Sequence, residues 1–414
     1  MANTHVFETK MSDRMQVTRY STPVYVAQAS FEERAKLVMG QPVTRPYTTR
    51  LYEQDYIRGT DMSMQTLTET NETLTVTSAK ASPFAIDSLD AVQSNFALMQ
   101  QYSDKAMRAI NKAVDADYLS EVASATNSID AGDVGGSSGS PITLDTTNVL
   151  DVYGAALRKL SLRDIDITGM QDPRVQAGNL KPGGQGGFAN LNPYFAEKLT
   201  LSLSGRETVD GDLVGNNGYK STYFGFDSYI TTNGYWIGVL GIATTPTNGD
   251  TVIINGVTFT FVTVIGTTAG NVLIGGAADV ANTNLAALIN APGTTTANGV
   301  ALSAANQLLM KRITATADLS ANTCTVAAKG YGYVVTSETL TAAADVWNTE
   351  SSYQMFGEKG AVDMVLQVKP SVETSPIPLQ LGSYVKPYVL YGKKTFVEGA
   401  DALVSVRINS ASWV

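Results

Sequence analysis

Between residues 87 and 125 the chain has no glycine or proline, and its apolar residues recur at helical spacing. Leu89, Val92, Phe96, Met99, Ala106, Ile110 and Ala113 lie three, four or seven apart, which draws one stripe down one face of a helix. Asp87 is set to act as the N-cap, and Asp90 puts a second negative charge in the first turn, where the helix dipole favours it. At about 1.5 Å per residue this helix would run on the order of 55 Å, far beyond the roughly eleven-residue average. Asp115 and Asp117, two apart near its end, do not share a face and read as a solvated edge.

Around this helix the pattern changes character several times. Residues 1–50 hold short apolar patches such as Pro23 to Ala27, broken by Pro42 and Pro46; apart from one short helix over Phe31 to Met39 they read as an extended arm that lies on something else. Residues 51–85 switch to period two, with Met62, Met64, Thr66, Leu74 and Val76 alternating with polar residues and Thr68 to Thr73 as the turn, a hairpin with little to bury on its second face. Asp130 to Pro141 and Gly178 to Gly187 are loops by composition. Asn148 to Leu162 is a second helix with Val149, Val152, Ala156 and Leu160 on one side. Asn192-Pro193 is an N-cap followed by a first-turn proline, opening another helix, and Phe226 to Thr231 is a strand.

From Gly234 to Val346 charge nearly vanishes: eight of 113 residues are charged, against 59 of the other 301. Thr251 to Asn255 and Thr258 to Val264 are strands joined at Asn255-Gly256, the strongest short hairpin signal. Ala277 to Asn290 is a helix with Ala281, Leu285 and Leu288 on one face. Strands follow at Arg312 to Ala317, Thr323 to Ala328 and Gly332 to Val335. The composition shifts at both ends mark an inserted α+β domain. The tail returns to strands at Ala361 to Val368, Tyr384 to Tyr391 and Ala402 to Ile408, expected to form one sheet over the long or the second helix.

Composition narrows the function. The chain is 43% hydrophobic and 16% charged, with a net charge of −9, which describes a folded protein without the basic face of a general nucleic-acid binder. Residues 1–50 carry +3, so the remainder carries −12. One cysteine, Cys324, excludes an intrachain disulfide and a thiolate zinc site. The N-terminus lacks the apolar core of a signal peptide, and the longest near-apolar run, Tyr235 to Ala243, is too short to span a bilayer.

Catalytic chemistry has few residues to draw on. The single histidine, His5, lies in the arm, which excludes histidine-based acid–base and triad chemistry. Gly184-Gln-Gly186-Gly-Phe-Ala189 fits a dinucleotide pattern in form only, since Lys181-Pro182 precedes it where a strand belongs. Asp210 and Asp212 begin like a calcium loop, but Val214 stands where a third oxygen ligand is needed, so they read as a turn. No catalytic, cofactor-binding or metal-binding residue is assigned, no cofactor is expected, and an enzyme is the least favoured reading.

In this order the segments resemble the major capsid proteins of tailed bacteriophages, the Hong Kong 97-like fold shared with herpesvirus capsids. The resemblance rests on Asp115-Ala-Asp117-Tyr-Leu119, on Gly218 to Asn233 and on Lys386 to Val406, especially Tyr391-Gly-Lys-Lys394, and covers about 300 residues outside 234–346. It implies an α+β chain with an N-terminal arm (1–50), an extended hairpin loop (51–86), a peripheral domain with a spine helix (87–143), an axial domain (144–233), the inserted domain (234–346), and a return to axial and peripheral domains with the C-terminal strands (347–414). It further implies a structural head protein that assembles with itself into pentamers and hexamers of an icosahedral shell enclosing double-stranded DNA without sequence-specific binding. Such a protein is made in the bacterial host cytoplasm and ends in the virion, with no membrane role. A portal and a decoration protein are implied partners. The arm begins at once, without the helical scaffold segment some members carry, so either a separate scaffolding protein is expected or assembly without one. Lys80 is the only lysine from Leu51 to Asp104 and sits at the base of the loop, so covalent crosslinking is not expected. The inserted domain either stabilises the capsomer or binds a host surface or decoration protein. The rival reading is another phage structural part, a tail tube or sheath subunit, which should show more sheet and no long spine helix.

Overall fold

A computed structural model describes residues 23–32, 42–48, 51–59, 61–87, 98–165, 167, 186–204, 222–378, 381–411 and 413. It is mixed α/β, with more strand than helix. Helix α1 is Tyr25–Gln28, and strand β1, Val43–Thr48, pairs antiparallel with β2, Glu69–Leu74. The stretch Thr68 to Thr73 is therefore not a turn: most of it is strand, with Asn71 opposite Pro46. The turn lies earlier. Residues 51–57 and 61–67 form the two limbs of a finger that reverses at Arg58-Gly59, where Gly59 takes a φ of +86°. Tyr52 N–H donates to Gln65 Oε1 at 3.0 Å and Ser63 Oγ to Gln54 Oε1 at 3.3 Å across the limbs, but no strand ladder forms. A two-stranded ribbon without a core face is marginal, and these limbs have none.

Strands β3 (Ser78–Ala81) and β4 (Phe84–Asp87) lead to the long helix α2, Leu98–Leu119, which tightens into a 3-10 turn over Ser120–Ser124. Its 22 residues give about 33 Å of helix. The helix start that Asp87 is expected to cap lies outside the described residues. Phe84 and Ile86 are half-buried at period two, and Asp87 closes the strand opposite Gly382. Leu89, Asp90, Val92, Phe96 and the side chain of Met99 lie outside the described residues. Where the stripe is described it is buried: Ala106, Ile110 and Ala113, extended by Val114, Tyr118, Leu119 and Val122. Ile110, Val114, Tyr118, Leu119 and Val122 share a core with Val362 and Met364 beside or within β17 (Asp363–Pro376) and with Val389 and Tyr391 of β18 (Gly382–Lys394). Each fully buried side chain of this kind contributes about 1.5–3 kcal/mol. An ammonium at Ile110 would sit there unpaired, so Ile110→Lys is expected to give no soluble folded protein. Gln100→Lys, on the exposed side, should shift stability by no more than about 0.5 kcal/mol; circular dichroism and gel filtration of the soluble fraction check both.

Two more short strands and two helices build the next layer: β5 (Asn127–Ile129), α3 (Val149–Ser161), β6 (Gly187–Leu191) and α4 (Pro193–Ser204). Helix α3 buries Val149, Val152, Ala156 and Leu160 as its spacing predicts. Asn192 caps α4 by accepting from Phe195 N–H at 2.7 Å, with Pro193 in the first turn. Strands β7 (Thr222–Tyr223), β8 (Phe226–Ile230) and β9 (Tyr235–Gly241) follow.

The low-charge stretch contributes β10 (Thr251–Ile254), β11 (Val257–Val262), β12 (Asn271–Leu273), α5 (Ala278–Asn290), α6 (Ala304–Leu309), β13 (Ile313–Asp318), β14 (Thr323–Lys329) and β15 (Thr336–Glu338). Asn255 and Gly256 join β10 to β11 with φ of +52° and +78°, the pair of left-handed residues that a two-residue hairpin of this twist requires. The last strand falls at 336–338, past the predicted Gly332 to Val335, because Thr336 to Glu338 is the segment that reaches the free edge of β10. Strands β12, β11, β10 and β15 make one sheet, whereas β9, β13 and β14 belong to a larger one. A single core joins the two, with Phe259, Phe261, Leu285, Trp236 and Val326 fully buried in it.

The larger sheet has nine strands and turns on β16, Trp347–Glu358. Residues 347–353 of β16 pair with β9 and 356–358 with β6, end to end along one edge. Residues 351–357 pair on the other edge with β19, Leu403–Asn409, which in turn takes β5 in parallel. The tail strands therefore do not form one sheet. Strand β17 pairs with β18, and β18 with β3 and β4, under α2, while β19, reached through α7 (Val397–Asp401), crosses to the sheet under α3.

Candidate functional site

Both acids near the end of α2 are buried, not solvated. Asp115 is fully buried, and its Oδ1 accepts from Val24 N–H at 2.7 Å and Tyr25 N–H at 3.2 Å, its Oδ2 from Asn233 Nδ2 at 2.9 Å. One carboxylate thus holds α1 and the turn before β9 against the same helix turn. Burial raises its pKa, and the three hydrogen bonds offset part of that rise. The rest of the segment is stitched down as firmly: Gln28 and Asn190 exchange two amide hydrogen bonds at 2.7 and 2.9 Å, and Ser30 bonds to Val362 and Met364. Residues 24–30 of the expected arm are part of the body.

Asp117 faces the other way. Lys80 of β3 pairs with its Oδ2 at 3.0 Å, Tyr391 OH donates to the same oxygen, and Lys393 donates to its backbone carbonyl. Burial alone would raise this carboxyl, but the bonds from Tyr391 and Lys80 and the charges of Lys80 and Lys393 hold it below the usual range. Lys393 also reaches Ser120 Oγ at 2.9 Å and Glu121 at 2.7 Å. Lys80 and the Tyr391 to Lys394 stretch therefore anchor the base of the finger to the long helix. The Asp-x-Asp spacing did separate two faces; that both faces are covered could not be read from it, since the partners lie 37 to 276 residues away.

None of this is catalytic geometry. Among the described residues no cluster of three potential metal ligands occurs, Cys324 is buried with its thiol pushed up to about 12, and no helix is long and apolar enough to cross a membrane. Gly187 opens strand β6, so the glycine-rich stretch does not lead into a helix as a phosphate loop would. His5, Asp210 and Asp212 lie outside the described residues.

Two surfaces stand out instead. On the finger, Leu51, Tyr52, Tyr56, Ile57, Met62, Met64 and Leu67 are all exposed, Met64 at 98%. A run of large apolar side chains without cover marks an interaction surface. The second is a cleft of about 680 Å³ between α2, the start of α4 and the α6–β13 turn. Tyr194 stacks on Trp413 at 4.8 Å and Tyr333 meets the same indole at 5.8 Å, forming an aromatic wall. Lys112, Lys311 and Arg312 also line it. Burial lowers the Lys112 pKa and the neighbouring Arg312 charge lowers it further. Tyr331 OH fixes the turn by donating to the Leu309 and Lys311 carbonyls, and Gly330 is required where a Cβ would come within 2.7 Å of Ala116.

No protein-family model matches the sequence, and no curated protein matches it significantly. Solved structures do match, over nearly the whole chain. A structure from Mycobacterium phage Che8 is 13% identical with a TM-score of 0.56, covering 98% of this chain and 98% of that one. The capsid structure of the Cyanophage P-SCSP1u is 10% identical at a TM-score of 0.52, over 96% and 92% of the two chains. One from Mycobacterium phage Ogopogo is 11% identical at 0.50, over 97% of each. At such identities the likeness establishes the fold: from end to end, this chain folds as chains of these phage structures do.

Proposed function

We propose that this chain, whose fold is that of a phage capsid subunit over its full length, is the major capsid protein of a tailed bacteriophage with a Hong Kong 97-like architecture. The full-length match carries the reading, because a part-chain likeness would leave the low-charge stretch unaccounted for. Copies assemble into pentamers and hexamers of an icosahedral shell around double-stranded DNA, and the chain is a component of the virion with a structural, not an enzymatic, role. A net charge of −9 suits a wall that must not adhere to its own genome. In this reading α2 is the spine helix, the finger is the extended loop, residues 234–346 are an insertion within the axial domain, and a portal, a separate scaffolding protein and a decoration protein are the accessory partners.

Support comes from the division of labour in the fold. Asp115, Asp117 and the β17–β18 sheet make a stiff plate around α2, while the finger projects side chains that the plate does not cover. A stiff tile with an uncovered projection is what a closed shell needs from its subunit. Electron microscopy of the expressed, purified protein tests the reading: closed shells, alone or with a scaffolding protein, are expected. Open tubes of uniform width would favour the tail-tube reading, and discrete small particles would overturn both.

A further inference from the structure

The cleft between α2, the start of α4 and the α6–β13 turn holds positive charge that nothing around it neutralises. Lys112 is half-buried on α2, Arg312 is half-buried just before β13, and Lys311 is exposed beside it. Among the described residues none of these three side chains makes an ion pair or a hydrogen bond, and the one carboxylate lining the cleft, Glu197, lies 3.8 Å from Lys198. The Arg312 guanidinium lies against α2: a Cβ on Gly330 would come within 3.0 Å of its Nη1 and 2.7 Å of Ala116. From there its charge, after burial, lowers the pKa of Lys112. Arg312 is also held at a φ of +69°, in the left-handed region that is costly for a residue with a side chain. A fold that keeps a strained arginine beside a half-buried lysine gives up stability at this point, and such concessions cluster at ligand sites. The same cleft carries the stacked Tyr194 and Trp413 rings, with Tyr333 on the same indole.

We propose that this cleft binds a free nucleoside di- or triphosphate, its phosphates on Lys112, Lys311 and Arg312 and its base on the Tyr194, Tyr333 and Trp413 rings. The cations set the charge class. A single carboxylate would leave two of them without a counter-charge, whereas a polyphosphate meets all three, and a guanidinium matches phosphate oxygens in pairs. The rings set the rest of the ligand, because a nucleobase has a flat face that stacks on an aromatic one. The cleft's volume of about 680 Å³ lies within the range of sites that enclose a molecule of this size. A free nucleotide is favoured over a polynucleotide because a chain of net charge −9 lacks the basic groove that would follow a phosphate backbone beyond the cleft. The bound molecule would join α2, α4 and the low-charge stretch, and it stabilises the folded chain by mass action.

Titration calorimetry of the purified full chain tests this with adenosine triphosphate as the probe, and with adenosine, inorganic tripolyphosphate and DNA as controls. The nucleotide is expected to bind once per chain and to raise the melting temperature. Adenosine and tripolyphosphate should each bind at least about tenfold more weakly, since each keeps only one part of the contacts. Arg312→Gly is expected to lose about tenfold or more in affinity, yet to melt close to wild type without ligand, because glycine takes the left-handed backbone freely. Lys311→Gln, on an exposed side chain, should weaken binding in the same direction, and Trp413→Leu should leave the nucleotide binding no better than tripolyphosphate. No binding of the nucleotide at millimolar concentration overturns the proposal. So does tripolyphosphate that binds as tightly as the nucleotide, which would mark a plain anion site, and so does wild-type affinity in both Arg312→Gly and Lys311→Gln. DNA, single-stranded or duplex, that displaces the nucleotide at equal phosphate concentration overturns the free-nucleotide assignment. Binding is measured whether or not shells form, so failure here and failure of the capsid reading are separate results.

Discussion

Asp115→Ala is expected to cost about 3–5 kcal/mol and to release residues 24–30 from the body, because it strands three buried donors, Val24 N–H, Tyr25 N–H and Asn233 Nδ2, each worth about 1–3 kcal/mol when unpaired. Asp115→Asn is expected to behave quite differently. Asn233 is fully buried and its Oδ1 has no hydrogen-bond partner, so a flipped Asn233 amide can accept from the introduced amide N–H while the introduced carbonyl oxygen keeps the two backbone bonds. The site requires an acceptor more than it requires a charge. The pH dependence follows with its sign. The folded-state pKa of Asp115 lies above the ordinary 3.8, so its stabilising contribution is complete below that value and is lost as pH rises through the raised one. Asp117, held below 3.8, contributes in the opposite sense: its stability is present above that value and lost as pH falls through the lowered one. Thermal melts of the purified protein between pH 4 and 8 should show wild type losing stability relative to Asp115→Asn as pH rises. Parallel curves would mean that Asp115 ionises alike in the folded and unfolded states, against the raised folded-state pKa.

Phe356→Ala should be comparably costly for a different reason. Its ring is fully buried at the meeting point of Tyr153 at 5.1 Å, Phe226 at 5.6 Å and Phe195 at 6.2 Å, residues supplied by β16, α3, β8 and α4. Deleting it removes the transfer free energy of a large side chain and leaves a cavity in a rigid aromatic cluster, about 3–5 kcal/mol together. The edge-to-face pair with Tyr153 adds about 0.5–1.5 kcal/mol that a double-mutant cycle would isolate. A urea midpoint that falls while the slope is unchanged would verify the loss as one of packing. Little or no change would mean that the site collapses around the missing ring.

Elements with local signals were legible in the sequence. Asn192-Pro193 opened a helix, Asn255-Gly256 closed a hairpin, and the three-and-four spacing in α3 and α5 named the buried faces, because each depends on backbone geometry within a few residues. Reading failed wherever a partner distant in sequence decides. Thr68 to Thr73 has turn composition yet pairs with β1, Ile86-Asp87 continues a strand because β18 offers an edge, and β19 leaves its neighbours for the sheet of β16. The candidate site failed for the same reason. Asp115 and Asp117 look like any polar pair on a helix, and only the folded chain brings Val24, Asn233, Lys80 and Tyr391 to them. The finger gave a usable signal, since period-two apolar residues with nothing to bury pointed outward before its turn could be located correctly.

The order of β16 and its neighbours also fixes when this protein can fold. Strand β5 leaves the ribosome early, yet its partner β19 begins at Leu403, and β6 waits for Phe356. At about 5–20 residues per second the gap between β5 and β19 takes roughly 15–55 s to synthesise. The apolar face of α2 waits for β17 and β18, complete only at Lys394, and the core under α3 waits for Val404, Val406 and Ile408 of β19. A chain still being made therefore presents an incomplete nine-stranded sheet, and that sheet closes only once β19 has been made.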